Sequence, residues 1–266
     1  MCNLLKADLY RIVRSKLAIV SIILSASLPF IIVLLYYGVA KGTEMLMPEG
    51  SGAELVNGMF NARSLIISSF SLTDNFGLVI PIFSAIFVTK DLTNGTLRNK
   101  IISGHNRKKI YFSHLITSII YNALIIIVYA LFTSLFAFIF FDYGREINAQ
   151  EIKSIIFIII LGIMGFVFVA TISTCLSLIL NSSILAIVLT VVISIVFSFI
   201  CMIISLTDYE KFKYIIYFIP FFVNGSTLTI NEATNVLFIE GMLSCLTFGV
   251  INTVLGIIIF SKKDLK

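Results

Sequence analysis

Charge is what this sequence has least of. Only 12% of its 266 residues are charged, whereas 59% are hydrophobic, and the mean hydropathy is +1.06. A water-soluble domain of this length needs many more charged residues to cover its surface, so the composition excludes that class of protein. A lipid bilayer is the solvent that this composition fits.

Alternation of apolar and polar residues is also missing, which excludes the strands of a membrane barrel. Long apolar runs are present instead, and a helix of about 20 residues crosses the roughly 30 Å of bilayer hydrocarbon. We therefore predict an all-α polytopic membrane protein, a single transmembrane domain over residues 1–266 with six transmembrane helices. The predicted spans are residues 17–39, 65–89, 112–141, 153–180, 184–206 and 235–260.

Residues that carry catalysis or bind metals are scarce. The two histidines, His105 and His114, both lie in or beside one polar segment, and the four cysteines have no metal-ligand spacing. The chain has no G-x-x-x-x-G-K-[ST] loop with which to hold ATP phosphates. We expect no metal, no cofactor and no enzymatic activity in this chain.

Basic residues are distributed unevenly between the two sides of the predicted spans. Most of the 19 Lys and Arg residues fall on the side that holds both termini and the connection between spans 2 and 3. Positive charge accumulates on the cytoplasmic side of membrane proteins, so both termini are predicted to be cytoplasmic.

An amphipathic helix is predicted over residues 3–16, before the first span. Leu5, Leu9, Ile12 and Val13 share one face, and the opposite face holds the polar residues Asp8, Arg11, Arg14 and Ser15. Such a helix lies in the membrane interface with its bases towards the headgroups. The alternative is a plain positive anchor without an interfacial role.

Polar residues inside the spans are candidates for a transport pathway. Thr190, Ser194 and Ser198 repeat every four residues on span 5, and Asn252 lies on span 6. They could line a permeation surface, but close helix packing by small residues is the favoured interpretation.

Two acids, Asp74 and Glu240, fall towards the outer ends of their spans. A proton relay needs more acids at greater depth, so a structural role is favoured for both.

The most polar segment is residues 90–112, "KDLTNGTLRNKIISGHNRKKIYF". We predict a short helix over about 94–103, capped by Thr93 or Asn94 and ended by Gly104. Leu97 and Ile101 lie one turn apart and form an apolar ridge. Because so short a helix is unstable alone in water, the ridge is expected to pack on a cytosolic partner.

This segment resembles the cytoplasmic coupling segment of type-2 ABC export permeases, whose pattern runs from an acid through G-T-L-R to a short helix and a basic pair. The amphipathic entry helix and the six spans resemble the same class, most closely the permeases of bacitracin and lantibiotic peptide transporters. The residues that match this pattern are Asp91, Gly95, Thr96, Leu97 and Arg98. Ile101, the second residue of the apolar ridge, completes the set of predicted ATPase-coupling residues. The leading acid is Asp91 where the family more often has Glu, and His114 stands where a Lys is common.

The resemblance implies a transport subunit in the cytoplasmic membrane of a bacterium, coupled to a dimer of separate ATPase chains that bind the ATP. A second permease chain, identical or homologous, would complete the pathway, and no nucleic acid is expected. The cargo would be an amphipathic or antimicrobial peptide exported for immunity or resistance. The alternatives are an ion-coupled carrier or channel that acts alone, and a membrane scaffold or sensor.

Overall fold

A computed structural model describes residues 2–46, 61–70, 80–143, 147–180, 182–206, 220 and 235–263. The secondary-structure elements within these ranges are helices. They are α1 (Cys2–Val13), α2 (Lys16–Leu46), α3 (Ala62–Ser68), α4 (Ile80–Thr93), α5 (Thr96–Ile102), α6 (Arg107–Phe140), α7 (Ala149–Leu180), α8 (Ser183–Leu206) and α9 (Asn235–Lys262).

Four helical segments of the described chain are long and apolar enough to cross a membrane. They are Lys16–Thr43, Arg107–Phe140, Ala149–Leu180 and Phe238–Lys262, and Ser183–Phe197 is a shorter apolar helix. At 1.5 Å per residue, even the 25 residues of Phe238–Lys262 exceed the roughly 30 Å of bilayer hydrocarbon. The chain is therefore an all-helical, multi-pass membrane protein.

The second predicted span, residues 65–89, corresponds to two helices in the structure. Its start lies in α3 and its end in α4, and residues 71–79 lie outside the described residues. A count of six spans, with both termini on the same side, therefore stays a prediction.

Helix α7 lies at the centre of the bundle and contacts α4, α6, α8 and α9. Helix α6 packs along α2 and also contacts α1. The core between these helices contains large side chains that are almost completely buried, including Tyr111, Tyr129, Phe166 and Phe260. The outward faces of α2, α6, α8 and α9 carry exposed Ile, Leu, Val and Phe side chains, as expected for surfaces that face lipid.

A glycine in α9 leaves room for a side chain of α6. A Cβ atom at Gly256 of α9 would overlap the Tyr111 hydroxyl and approach the Cys175 sulfur. A larger residue at this position would displace the buried Tyr111 side chain, so the packing of Tyr111 against α9 depends on the missing side chain.

Candidate functional site: a buried charge cluster beneath the short basic helix

Helix α5 is set between two glycines with left-handed backbone. Gly95 is its N-cap, with φ +68°, and Gly104 follows its last turn with φ +86°. The prediction of a side-chain cap is wrong, because no side chain caps the helix and the Thr93 hydroxyl donates to the Lys90 carbonyl instead, at 3.2 Å. Glycine adopts this backbone without the steric cost that other residues meet, so the sequence ends α4 and begins α5 within two residues.

The apolar ridge of α5 faces inward. Leu97 is 1% exposed and belongs to the main hydrophobic core, and Ile101 packs against the same core. The expectation that this ridge lies open to a cytosolic partner is therefore wrong for the chain itself. Ile102, at 74% exposure, is the apolar side chain that α5 presents outward, beside the exposed Arg98 and Asn99.

Lys100 points from α5 into a cluster of buried charges. Its Nζ donates to Asp8 Oδ1 at 2.6 Å and to Asp91 Oδ2 at 3.3 Å. Both carboxylates have no exposed surface, and only 13% of the Lys100 side chain is exposed. A single ammonium group therefore joins α5 to the N-terminal helix α1 and to α4.

Asp91 is the acid that leads the G-T-L-R pattern, and it has several partners. Arg11 of α1 donates from Nη1 to Asp91 Oδ2 at 2.9 Å, and Arg11 Nη2 contacts Oδ1. The Thr96 hydroxyl donates to the Asp91 carbonyl at 2.9 Å. The pattern residues Asp91 and Thr96 thus lie together, and their interactions fix α5 against the end of α4.

The predicted faces of the N-terminal helix are wrong at Asp8 and Val13. Asp8 was expected on the exposed polar face, but it is completely buried and accepts a hydrogen bond from the Ser113 hydroxyl at 2.7 Å. Val13, expected on the apolar face, is 72% exposed. The reason is that α1 packs on α6, and the side turned to α6 carries the acid that pairs with Lys100.

The charges of the cluster change the acidity of its members. Burial raises the pKa of Asp8, but the neighbouring His114 and the hydrogen bonds from Lys100 and Ser113 lower it more, and the net pKa is below its ordinary value of 3.8. Burial lowers the pKa of Lys100 below its ordinary value of 10.5, although Asp8 partly opposes this. At neutral pH Asp8 is accordingly a carboxylate held between positive charge and hydroxyl donors.

His114 completes the cluster from α6. It is fully buried, with Nε2 3.5 Å from Asp91 Oδ2 and its ring 6.2 Å from the ring of Phe87. Within the described part of the chain, neither ring nitrogen makes a hydrogen bond. The sequence places His114 where the resembled family commonly has a Lys but predicts no role for it. The available signal was an ionisable residue at the start of an apolar run.

The cluster of Asp8, Arg11, Asp91, Lys100, Ser113 and His114 is hereafter called the charge cluster. It joins four elements, α1, α4, α5 and α6, through buried ionic and polar contacts. Among the residues that the structure describes, no group of His, Cys, Asp and Glu side chains could hold a metal ion. The arrangement suits mechanical connection of helices, because moving α1, α4 or α5 would separate buried charges from their partners.

The predicted pathway residues are mostly involved in packing. Thr190 and Ser194 are buried and donate back to their own helix, to Ala186 O at 2.7 Å and to Thr190 O at 2.9 Å. Asn252 donates from Nδ2 to Thr171 Oγ1 of α7 at 3.1 Å. The Ser198 side chain lies outside the described residues, so the pathway assignment stays a prediction.

Of the two acids predicted near the outer ends of their spans, only Glu240 is among the described residues, and it is not part of the charge cluster. Asp74 lies outside the described residues. Glu240 is partly buried near the start of α9. At the same end, Arg63 of α3 pairs with the buried Glu151 of α7.

A comparison with protein families gives a match. Residues 56–266 match the DUF2705 family, described as a protein of unknown function. The match covers most of the chain, so the chain belongs to that family. The comparison with curated proteins finds no match.

Proposed function

We propose that this chain, as a member of the DUF2705 family, is the membrane permease subunit of an ATP-driven ABC exporter. In this proposal six spans cross the cytoplasmic membrane of a bacterium, and both termini and α5 lie in the cytoplasm. ATP binds to a dimer of separate ATPase chains, and a second permease chain completes the transport pathway. The cargo is an amphipathic or antimicrobial peptide, a class that rests on the sequence resemblance.

The observation that carries the proposal is the attachment of α5. Leu97 anchors this short helix in the core, Lys100 joins it to two buried carboxylates, and the opposite side presents Ile102 and Arg98 outward. An exposed apolar side chain beside a base is a suitable contact for a partner protein.

The energetics of the charge cluster make α5 a good transmitter of motion. Separating one member of a buried ion pair costs about 3–5 kcal/mol, because the remaining charge stays desolvated. A displacement of α5 by a partner therefore moves α1, α4 and α6 with it more readily than it breaks their contacts. The residues of the coupling pattern thus have two roles in this proposal. Arg98 contacts the partner, and the other residues hold α5 in place: Asp91, Gly95, Thr96, Leu97 and Ile101.

The test places a photo-crosslinking amino acid at Ile102 in the full chain, expressed in the cells that naturally produce it. We expect irradiation to join position 102 to a polypeptide that contains G-x-x-x-x-G-K-[ST] and hydrolyses ATP after purification. The matched control is the same amino acid at Ile147, which is 62% exposed in the connection before α7, and it should give no such adduct.

A second variant, Ile102→Asp, places a charge at the contact without touching the buried residues. We expect it to lower the ATPase activity that co-purifies with the chain, whereas Ile147→Asp should leave that activity unchanged. An adduct at position 102 with a protein that lacks the phosphate loop would overturn the proposal, as would equal ATPase recovery from both variants.

A further inference from the structure

A groove of about 410 Å³ lies between α6, α7 and α9. Its walls include Phe112 and Ile119 of α6, Phe168 of α7 and Val254 of α9. The volume falls within the range of about 300–1,000 Å³ that is usual for ligand sites. The groove opens to the outside of the bundle, where Val254 is 48% exposed.

The two hydroxyl groups in the groove are already engaged within the protein. Thr171 Oγ1 donates to the Phe168 carbonyl at 2.7 Å and accepts from Asn252 Nδ2 at 3.1 Å. Thr253 Oγ1 donates to the Gly249 carbonyl at 2.7 Å. The surface offered to a ligand is therefore apolar, which favours hydrocarbon over a peptide backbone whose polar groups need partners.

The length of the groove matches one leaflet of a bilayer. Its lining on α9 runs from Cys245 to Ile257, and its lining on α6 from Phe112 to Ile119. At 1.5 Å per residue, the α9 side is roughly 18 Å long, a little over half of the roughly 30 Å of bilayer hydrocarbon. The groove thus has the length of one acyl chain in one leaflet.

A base continues the groove face of α6 beyond its apolar end. Lys108 precedes Phe112 by four residues and Leu115 by seven, so the three side chains follow one face of the helix. Lys108 is exposed at the first turn of α6, where a lipid headgroup would lie.

Two neighbouring bases are occupied in joining the three helices at the same end. Arg107 Nη1 donates to the Ser261 carbonyl of α9 at 3.0 Å, and Lys263 Nζ donates to the Leu178 carbonyl of α7 at 2.9 Å. These contacts join the three helices at the mouth of the groove, and the exposed Lys108 follows the groove face of α6 there.

We propose that this groove binds one acyl chain of an anionic phospholipid whose phosphate pairs with Lys108. The apolar walls and the length of the groove fit an acyl chain within one leaflet. The positive charge at the mouth fits the phosphate of the headgroup. Charge complementarity distinguishes it from a zwitterionic lipid, because one Lys near a membrane surface contributes about 1 kcal/mol to binding of an anionic lipid. The proposal concerns the membrane surface of the chain and does not depend on the transport function.

The test measures lipid binding to the full chain in detergent by native mass spectrometry. The chain is titrated with dioleoyl phosphatidylglycerol or with dioleoyl phosphatidylcholine, which share their acyl chains and differ in net charge. We expect the anionic lipid to bind about fivefold more tightly. Lys108→Gln should abolish this preference, and Lys109→Gln should keep it, because residue 109 lies about 100° further around the helix.

A second pair of variants tests the groove itself. A Cβ at Gly249 or at Gly38 would meet nothing within 4 Å, so both glycines accept a side chain without a clash. We expect Gly249→Leu to fill the groove and weaken binding of both lipids, and Gly38→Leu to have no effect.

Four results would overturn the proposal. They are equal affinity of the unchanged chain for the two lipids, equal loss in Lys108→Gln and Lys109→Gln, unaltered binding in Gly249→Leu, and conversion of a dimer to a monomer by Gly249→Leu. The last result would show that a second copy of the chain, and not a lipid, covers the groove.

Discussion

Lys100 Nζ lies 2.6 Å from Asp8 Oδ1, across 92 positions of sequence. This contact joins the N-terminal helix to the short basic helix. The Asp8 side chain is completely buried, and the Lys100 side chain is largely buried. Since a buried charge is stable only with its counter-charge, the two helices hold each other in place.

Removal of Lys100 should therefore destabilise the whole bundle. Lys100→Met leaves Asp8 with the Ser113 hydroxyl and a more distant Arg11, whose Nη1 is 3.9 Å away, and leaves Asp91 with Arg11. We expect a loss of about 3 kcal/mol in the free energy of unfolding. Unfolding in mixed detergent micelles measures it. Lys109→Met removes an exposed charge and should change stability by less than about 0.5 kcal/mol. Equal effects of the two variants would show that the buried contact contributes nothing specific.

Stability should depend on pH through Asp8. Its pKa in the folded chain lies below 3.8, so the unfolded chain binds the proton more tightly and acid favours unfolding. The stabilisation by Asp8 is fully present above pH 3.8 and is lost as the pH falls through the lowered pKa.

The comparison between the unchanged chain and Asp8→Asn isolates this effect. We expect the unchanged chain to be more stable at neutral pH and the difference to shrink as the pH falls below 3.8. Unfolding midpoints of both proteins over that range measure it. A difference that stays constant or grows in acid would mean that Asp8 is not the carboxylate whose pKa is lowered.

The sequence predicts the helices well but not their contacts. Hydrophobic length indicates where α2, α6, α7 and α9 form, and Gly104 indicates where the short basic helix ends. Periodicity reports which residues of one helix share a face, but it does not report which other helix that face meets. Leu97 and Ile101 were correctly placed on one ridge, but their partner is the chain's own core.

The charge cluster was missed for the same reason. Asp8 has basic neighbours in a helix whose polar face was predicted to be exposed. Its counter-charge, Lys100, lies in a segment that contains several other bases. Composition alone explains both residues as surface charges. His114 carried the better signal, because an ionisable side chain at the edge of an apolar run is a candidate site by default.

Replacement of glycine by alanine should lower the stability of the fold at Gly95 and raise it at Gly42. Gly95 has φ +68° and open space around its Cα, so Gly95→Ala meets no clash but must adopt left-handed backbone, at a cost of about 1 kcal/mol. Gly42 lies in α2, also with open space, and Gly42→Ala should stabilise by about 0.5–1 kcal/mol. Unfolding of both variants measures the difference, and stabilisation by Gly95→Ala would contradict the geometry.

The Arg63–Glu151 pair should show strong coupling at the other end of the bundle. Both side chains are about nine-tenths buried, and the Tyr143 hydroxyl donates to Glu151 Oε1 at 3.1 Å. We expect Arg63→Met alone to cost about 3 kcal/mol, and the double change with Glu151→Met to cost less than the sum of the single changes. Unfolding of the four proteins of the cycle measures the coupling, and additive losses would argue against a functional ion pair.

The orientation in the membrane can be tested at two exposed positions on opposite ends of α6. Ser103 follows the short basic helix, and Asn148 precedes α7. In a chain whose four cysteines are replaced by alanine, we expect a membrane-impermeant maleimide to label Asn148→Cys in intact cells. Ser103→Cys should be labelled only after the membrane is opened, because segments rich in Lys and Arg remain in the cytoplasm. The reverse pattern would place α5 outside the cell, where no cytosolic ATPase could reach it.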